Sequence, residues 1–264
     1  GNLVGTDRRF ATGCSSSTRG LFGTGGTPFN NDIDLVTISS TGSAEDFGNA
    51  TTVARTAACS NQTRGIWAGG MVPASPSADT NHIQYVTIAS KGDTVEFGDL
   101  TIARYELGGY ASPTRGIHVG SEFGATPGTY SNTIDFITIA STGNAQDFGD
   151  LSILWRGPCG FSNGVRGVYG SGYVSPGRVN TIEYVIMSTT GSGTNFGDLT
   201  EAKSEVYATT CSPTRGIWAG GQTPALSDVI EYVTINTQGD AVDFGNLTVA
   251  KSGVGACSNA HGGL

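Results

Sequence analysis

An arginine followed by glycine recurs along this chain and is its most regular charged feature. It stands at Arg19, Arg64, Arg115, Arg166 and Arg215, with spacings of 45, 51, 51 and 49 residues. A ring of arginines could capture an anionic sugar or a carboxylate through charge-assisted hydrogen bonds. The alternative is a structural arginine that pairs with a carboxylate or caps carbonyls once per unit. The candidate carboxylates are Asp46, Glu96, Asp147 and Asp243, with Asn195 in the fourth unit. Because a residue kept in every unit serves what every unit shares, we interpret the five arginines as structural.

A second set of acids lies within an apolar run of each unit, at Asp34, Asp135, Glu183 and Glu231, with Gln84 in the second unit. A hydrolase with paired carboxylates needs two acids close together in different environments, and acids at repeat spacing do not specify such a pair. The three histidines, His82, His118 and His261, match no repeated position. No nucleophile elbow, phosphate loop or zinc-binding histidine motif is present. We therefore predict no catalytic residues and no cofactor, and expect the protein not to be an enzyme.

The cysteines are predicted to share one position of the unit, with Ala111 in the remaining copy; they are Cys14, Cys59, Cys159, Cys211 and Cys257. Metal-ligand spacing is absent, so we expect no metal site. Equivalent positions on neighbouring units are predicted to lie too far apart for a disulfide, so we expect small buried thiols. One exception arises if the terminal copies share a unit, because Cys14 and Cys257 would then lie side by side. The odd count favours assembly in a reducing cytoplasm.

The composition argues against two classes of function. Charged residues make up 14% of the chain, the formal net charge is -8, and no run of Lys and Arg exists. We therefore expect no binding of nucleic acid through its phosphates. No apolar stretch approaches the ~20 residues of a membrane helix, so we expect no membrane insertion.

Two further marks show that the whole unit repeats. The first is an aromatic or leucine residue, at Leu35, Tyr85, Phe136, Tyr184 and Tyr232. The second is a phenylalanine before glycine, at Phe47, Phe97, Phe148, Phe196 and Phe244. The two marks are 12 residues apart in all five copies, which predicts a rigid hairpin. A period near fifty residues is typical of propellers and repeat arrays.

Each unit offers four short extended runs separated by turn residues, and no segment shows a helical period. In the last full unit the runs are Thr200–Cys211, Gly216–Gly221, Val229–Asn236 and Val242–Asn246. The third run is apolar on both faces, as in Ile134 to Ile139, which predicts a sheet covered on both sides. The first run consists of small residues, as expected beside a crowded central axis. We predict an all-β, five-bladed β-propeller of four-stranded antiparallel blades.

A single domain over residues 1–264 follows, with blades at about 3–50, 51–99, 100–150, 151–198 and 199–246. Residues 247–264 begin a sixth copy of the unit, with an extra strand at 248–258. Three interpretations remain open for that strand. It closes the ring in place of the divergent N-terminal copy, it pairs with another subunit to give a homo-oligomer, or the chain is a fragment of a longer array.

The loops between the second and third strands differ most between units and are predicted to emerge on one face. Variable loops on a rigid scaffold are where binding usually evolves. Aromatic residues in such loops can stack on sugars or on partner side chains. The candidate ligand-binding residues are Phe29, Asn30, His82, Phe123, Tyr130, Tyr173 and Arg178. Alternatively, these loops only cover the ring edge. A second departure is Trp155, which we place where other units have Arg55 or Lys203.

The unit resembles a kelch-type blade. The residues that carry the resemblance are Ala54-Arg55, Trp67 to Gly70, Gln84-Tyr85, Ala103-Arg104 and Ala250-Lys251. The paired glycines are replaced in the middle units, and the late kelch tryptophan is absent, its place taken by the phenylalanine of the Phe-Gly step.

A closer resemblance, carried by the strings Thr138 to Ala145 and Asp147 to Leu151, is to repeat arrays in virion-associated proteins of marine bacteriophages and large aquatic viruses. It implies a structural or adhesin component of a virion or extracellular appendage, such as a tail fibre. Its partners would be a host surface glycan or other virion structural proteins. The competing hypotheses are a carbohydrate-active enzyme on a propeller and an assembly module that polymerises by strand addition.

Overall fold

The computed structural model describes residues 2–4, 10–26, 28–73, 78–124, 128–253 and 255–256, in which every regular element is a β-strand. The predicted fold is confirmed: five four-stranded antiparallel sheets are arranged as the blades of a propeller. The described residues contain no helix that is long and apolar enough to cross a membrane.

The strands run in chain order from the innermost to the outermost of each blade. Blade 1 consists of β1 (Thr12–Ser15), β2 (Arg19–Gly23), β3 (Asp32–Thr37) and β4 (Glu45–Asn49). Blade 2 contains β5 (Ala57–Ser60), β6 (Arg64–Ala68), β7 (Met71–Val72), β8 (Ala78–Asp79), β9 (His82–Thr87) and β10 (Val95–Asp99), of which β7 and β8 form a separate ribbon. Blade 3 consists of β11 (Gly108–Ala111), β12 (Arg115–Glu122), β13 (Tyr130–Thr138) and β14 (Gln146–Asp150).

Blade 4 contains β15 (Cys159–Ser162), β16 (Arg166–Gly170), β17 (Tyr173–Val174), β18 (Gly177–Ile186) and β19 (Thr194–Lys203), with the short β17 paired to the start of β18. Blade 5 consists of β20 (Ala208–Cys211), β21 (Arg215–Ala219), β22 (Val229–Thr234) and β23 (Val242–Asn246). The innermost strands pack on one another in the order β1, β5, β11, β15 and β20. Close approach explains their small residues, since a Cβ on Gly109 of β11 would meet the Ala58 carbonyl oxygen of β5 at 2.7 Å.

The constant 12-residue interval is a hairpin of the third and fourth strands. In blade 2 the hairpin pairs β9 with β10, and a bulge lies between Glu96 and Gly98. The two aromatic marks meet across it edge to face, with the rings of Tyr85 and Phe97 5.8 Å apart. Blades 3, 4 and 5 repeat this contact at 5.9 to 6.0 Å. The bulge therefore has the same register in each of these blades.

The Phe-Gly bulge also docks each blade on the next. The amide of Gly92, in the hairpin turn of blade 2, donates to the carbonyl of Phe47 in blade 1 at 2.8 Å, and Thr94 donates to Asn49 at 2.8 Å. Gly48 lies directly against this turn, and a Cβ there would overlap the carbonyl group of Gly92. The same two hydrogen bonds recur between blades 2 and 3, 3 and 4, and 4 and 5. The glycine is needed for its positive φ, 148° at Gly48, and for this close approach.

The glycine of each Arg-Gly step accommodates a side chain from the innermost strand of the preceding blade. The pairs are Cys14 on Gly65, Cys59 on Gly116, Tyr110 on Gly167 and Phe161 on Gly216. A Cβ at any of these glycines would clash with the inserted group, so the glycine is fixed by packing between blades.

The prediction that all five cysteines share one position is wrong. Cys14 and Cys59 are equivalent, opposite Leu21 and Ile66. Cys159 lies two residues earlier in its strand and Cys211 one residue later. Because the turn into the second strand has the same length in every blade, their different distances from the arginine mean different registers. Cys14, Cys59 and Cys159 are buried and Cys211 is half-buried, and Cys257 lies outside the described residues.

Residues 248–253 and 255–256 of the predicted extra strand are described, and no strand is assigned there. The carbonyl oxygen of Ala256 would lie 3.3 Å from a Cβ on Gly13 in β1. Ala256 thus contacts Gly13 of blade 1 in the same way as Ala58 of blade 2 contacts Gly109 of blade 3. Among the described strands, β20 does not pack on β1 as the other neighbouring innermost strands do. Residues 255 and 256 therefore occupy the place of an innermost strand before β1.

We expect Gly48→Ala to destabilise the protein by about 2–4 kcal/mol more than Gly245→Ala, because only Gly48 has a neighbouring blade against it. The φ values are similar, 148° and 140°, so the backbone strain of alanine is nearly matched. Denaturant unfolding of both variants measures the difference. Equal losses of stability would contradict the docking of the bulge on the next blade.

Candidate functional site

Four of the five repeat arginines tie the blades together in this structure. Each of the first four donates a hydrogen bond from its guanidinium to a carbonyl of the following blade. The pairs are Arg19 to Ile88 at 2.8 Å, Arg64 to Ile139 at 2.7 Å, Arg115 to Met187 at 3.1 Å and Arg166 to Ile235 at 3.2 Å. The guanidinium of Arg64 also lies 4.5 Å from the ring centre of Tyr85, and Arg215 lies 4.6 Å from that of Tyr232. Within the described residues, no ion pair joins them to the Asp and Glu of the Phe-Gly step.

The acids of the third strand are engaged between blades. Fully buried Asp135 pairs with fully buried Arg104 at 2.8 Å and also accepts a hydrogen bond from Thr101. Glu231 pairs in the same way with buried Lys203. In blade 2, where the cation is replaced by Val53, the acid is replaced by neutral Gln84, which accepts from Thr51 and Thr94. Buried charges need partners, and in blades 2, 3 and 5 charge is present or absent in both members of the pair. Blade 4 differs, because Trp155 replaces the cation while buried Glu183 remains and accepts hydrogen bonds from Ser152 and Tyr169.

Single β-bridges just before the innermost strands establish the correspondence of these residues. The bridges are Ala54 to Met71, Tyr105 to Glu122, Arg156 to Tyr173 and Ser204 to Gln222. The residue before each bridge is Val53, Arg104, Trp155 or Lys203. Trp155 therefore replaces Lys203, as predicted, but it does not correspond to Arg55, which follows the bridge. The Ala-Arg pairs at 54–55 and 103–104 are likewise not equivalent.

The residue after the bridge breaks the repeat. Its copies are Phe10, Arg55, Glu106, Gly157, Glu205 and Gly253, all with φ between 53° and 68°. Glycine adopts this left-handed conformation freely, whereas other residues pay a cost on the order of 1 kcal/mol or more. Large and charged side chains in place of glycine at the entrance to the innermost strands indicate that something other than folding selects them.

These side chains belong to a cluster that we call the mouth: Phe10, Arg55, Glu106, Glu122, Arg156, Arg178, Glu205 and Tyr207. Buried Glu106 accepts hydrogen bonds from both Arg55 and Arg156, on the blades to either side of its own entry segment. Arg156 also pairs with Glu122 at 3.0 Å. Arg55 lies 4.6 Å from the ring centre of Phe10, completing a chain of contacts around the axis.

Tyr207 is an extra residue that only blade 5 carries between the left-handed position and its innermost strand. Its ring meets Phe10 edge to face at 5.9 Å, so the two join opposite ends of the chain at the mouth. Burial raises the pKa of Tyr207 well above its ordinary value, and the charge of Glu106 raises it further. The hydroxyl therefore stays protonated and can donate a hydrogen bond.

A cavity of about 160 Å³ opens beside the mouth, lined by Glu106, Arg156, Tyr173, Arg178, Glu205 and Tyr207. Tyr130 meets Tyr173 edge to face at 6.1 Å, and Arg178 donates to Ser204 at 3.1 Å. The structure thus brings three of the predicted ligand-binding residues, Tyr130, Tyr173 and Arg178, to the mouth.

The other four predicted residues lie on blades 1, 2 and 3 and do not line this cavity. Phe29 is exposed, and Asn30 is held in its own turn by hydrogen bonds with Asp32. His82 begins β9 opposite Asp99. Phe123 follows β12 and donates its amide to the carbonyl of Thr129 at 3.0 Å.

Charges balance in the mouth, although the chain as a whole is acidic. Arg55, Arg156 and Arg178 stand against Glu106, Glu122 and Glu205. Burial alone would lower the pKa of Arg156, but the hydrogen bond and charge of Glu106, together with Glu122, raise it above its ordinary value. Burial and then Glu122 raise the pKa of Tyr105, which is next to the cluster. The mouth therefore offers fixed donors and acceptors without excess charge.

His118 and Cys59 are neighbours in the core, with Nε2 and Sγ 3.9 Å apart. Burial, and then the charge of Arg104, lowers the pKa of His118 to about 3, and burial raises the pKa of Cys59 to about 12. Both groups are neutral at pH 7, so this pair lacks the thiolate that nucleophilic catalysis needs. No group of metal-ligating side chains occurs among the described residues.

Most of the mouth was not predicted from the sequence, namely Arg55, Glu106, Glu122, Arg156, Glu205 and Tyr207. The signal that could have indicated them is a change of residue type at one fixed distance before each Arg-Gly step, where Phe10, Arg55, Glu106 and Gly157 all stand nine residues before the arginine. The extra residue of blade 5 moves Glu205 one residue further away. Searches of protein-family models and of curated proteins return no match to this sequence.

We predict that Glu106→Gln lowers stability by about 2 kcal/mol or more, because it leaves Arg55 and Arg156 without their shared buried carboxylate. Glu45→Gln is the matched control, since Glu45 pairs with Lys91 in solvent and its loss should leave the unfolding midpoint unchanged. Chemical denaturation measures both. A Glu106→Gln variant as stable as the wild type would contradict the assigned ion pairs.

We predict that His118 makes the fold weaker as pH falls from 6.5 towards 3. In the folded protein His118 stays neutral down to its lowered pKa, whereas in the unfolded chain it binds a proton at its ordinary pKa of 6.5. The free energy of unfolding therefore decreases as pH falls below 6.5. His118→Asn should flatten this dependence by about 1 kcal/mol per pH unit relative to the wild type. Parallel stability curves for the two proteins between pH 7 and 4.5 would show that His118 is not buried as a neutral group.

Proposed function

We propose that this protein is a non-enzymatic glycan-binding protein whose ligand enters the cavity at the mouth. The observation that carries the proposal is the departure from the repeat at the left-handed position. The residues that dock one blade on the next are repeated in four blades. The arginine, glutamate and tyrosine residues of the mouth, in contrast, are arranged differently in every blade. In proteins of this kind, repeated residues usually build the scaffold, and residues that vary between repeats usually form the binding site.

A neutral, polyhydroxylated ligand suits the chemistry of the mouth. Its three arginines and three glutamates compensate one another, which disfavours a strongly charged ligand. Carboxylate and guanidinium groups held in fixed positions can accept from and donate to hydroxyl groups. The rings of Tyr173 and Tyr207 supply the apolar surface on which a sugar ring can stack.

The same contacts favour binding over hydrolysis. A glycosidase needs a proton-donating acid and a second carboxylate free to act on the sugar. Glu106 and Glu122 both bind Arg156, and the acids of the third strand are engaged between blades. Neither set leaves a carboxylate pair free around the cavity, so the carbohydrate-active enzyme is the weaker candidate.

The resemblance of the repeat to kelch-type blades and to virion-associated arrays suggests where the protein works. We propose that it is a structural or adhesin component of a virion or extracellular appendage, with a host surface glycan as its ligand. Antibodies against the chain should label intact purified particles of its source. Labelling of soluble fractions alone would contradict this location while leaving glycan binding untouched.

We expect the full chain to bind a defined set of oligosaccharides on a glycan array, and Tyr173→Ala or Arg178→Ala to weaken that binding about tenfold or more. The controls are Phe244→Ala, an exposed aromatic residue on blade 5, and Lys91→Ala, an exposed cation on a hairpin turn. Isothermal titration with the best array ligand supplies the dissociation constants.

Three results would overturn the proposal. The first is no oligosaccharide bound by the wild-type chain. The second is binding that the control substitutions weaken as much as the mouth substitutions do. The third is turnover of the oligosaccharide by the wild-type chain, which would make it an enzyme.

A further inference from the structure

The outward face of blade 5 is exposed where the same face of the other four blades is covered. Phe244 is 54% exposed, whereas Phe47, Phe97, Phe148 and Phe196 are 2 to 3% exposed. Ile217 and Ile230 are half-buried on this face, while Ile66 and Ile83, their counterparts in blade 2, are fully buried. An apolar sheet face of this kind marks an interaction surface.

Within the described residues, blade 5 does not form the contacts by which each other blade binds the next one. No described residue lies against Gly245, whereas each equivalent glycine touches the next hairpin turn. Within the described residues, Arg215 donates no hydrogen bond to another blade. Thr210, the counterpart of Cys14, has a buried hydroxyl with no partner in this part of the chain. At each filled interface, the residues equivalent to Gly245, Arg215 and Thr210 contact the next blade.

Blade 1 shows the complementary half of the interface on its opposite face. Ile38 is 36% exposed, whereas Ile88, Ile139, Met187 and Ile235 at the same position are at most 1% exposed. The amide of Gly42, in its hairpin turn, donates no hydrogen bond in the described chain, unlike that of Gly92.

Residues at both ends of the chain already occupy parts of a missing blade. Asn2 accepts from the amide of Ala44 at 2.8 Å, as Asn49 at the end of β4 accepts from Thr94. The carbonyl of Lys251 accepts from Gly221 at 2.7 Å, as that of Arg104 accepts from Gly70. Ala256 holds the place of an innermost strand beside β1. Between blades 5 and 1, the described residues therefore stand at the inner and outer edges of one further blade and not in its middle.

We propose that the faces of blades 5 and 1 form a docking site for a sixth blade of this same repeat, which completes a six-bladed ring. The four filled interfaces define its chemistry. It presents a glycine after an arginine to Thr210, an apolar third strand to Phe244, and a glycine turn whose amides bind the carbonyls of Phe244 and Asn246. Its third strand ends in a carbonyl that accepts from Arg215.

A second copy of the chain fits this site less well. Docking blade 1 of another copy on blade 5 would require the amide of Ala44 to bind Asn246, but Asn2 of its own chain already holds that amide. An added blade with a free turn meets no such competition.

The test compares the full chain with a variant in which a copy of residues 212–246 follows residue 258 in place of residues 259–264. We expect hydrogen exchange of residues 242–246 to slow about tenfold or more in the extended protein. Their strand opens less often once the carbonyls of Phe244 and Asn246 bind the added turn and the Phe244 ring is buried. The temperature of unfolding should also rise. Phe244→Asp should abolish both effects, while leaving the unextended chain unchanged because Phe244 is exposed there.

Unaltered exchange of residues 242–246 in the extended protein overturns the proposal, whether or not the added segment folds. Light scattering of the unextended chain provides the second test. Concentration-dependent association that Phe244→Asp abolishes would show that another copy covers the face, which also contradicts a sixth blade.

Discussion

The contact on which the structure depends is the docking of the Phe-Gly bulge on the hairpin turn of the next blade. A single four-stranded sheet cannot bury both of its apolar faces, so each blade relies on its neighbours for its core. The bulge provides two backbone hydrogen bonds to the next turn and a glycine that lets the two backbones touch. Nearer the axis, the side chain inserted against the glycine of the Arg-Gly step joins the same pair of blades. On the outer side, the arginine of that step joins them by a hydrogen bond. These contacts set the angle between blades, and hence the distances between side chains around the mouth.

This arrangement separates the residues that fold the protein from those available for recognition. Positions engaged in docking repeat because every interface imposes the same geometry. Positions at the entrance to the innermost strands hydrogen-bond to the neighbouring blades through their backbones, which leaves their side chains free to vary. There the chain places Arg55 and Glu106 in a left-handed conformation that glycine adopts at lower cost. The ion pairs that result join neighbouring blades, so the mouth also contributes to the rigidity of the ring.

Much of the fold could be predicted because its determinants are local. The 12-residue interval follows from one hairpin and one bulge, and small residues on the innermost strand follow from crowding at the axis. The mouth could not be predicted in the same way. Glu106 meets Arg55 and Arg156 from 51 and 50 residues away, so only the closed geometry brings them together. The cysteines show the opposite error: distances of seven, five and four residues before an arginine look alike in sequence but differ in register. The shift by one residue also puts Cys211 on the other face of its strand.

Hydrogen exchange of individual glycine amides, followed by NMR, tests the docking contact most directly. The turn amides of Gly92, Gly143, Gly191 and Gly239 should be protected by their hydrogen bonds to the preceding blade. Gly42 lies in the same kind of turn but faces no preceding bulge in the described chain, so its amide should exchange far faster. Exchange of all five amides at the rate of Gly42 would contradict the claim that the Phe-Gly bulge holds the blades together.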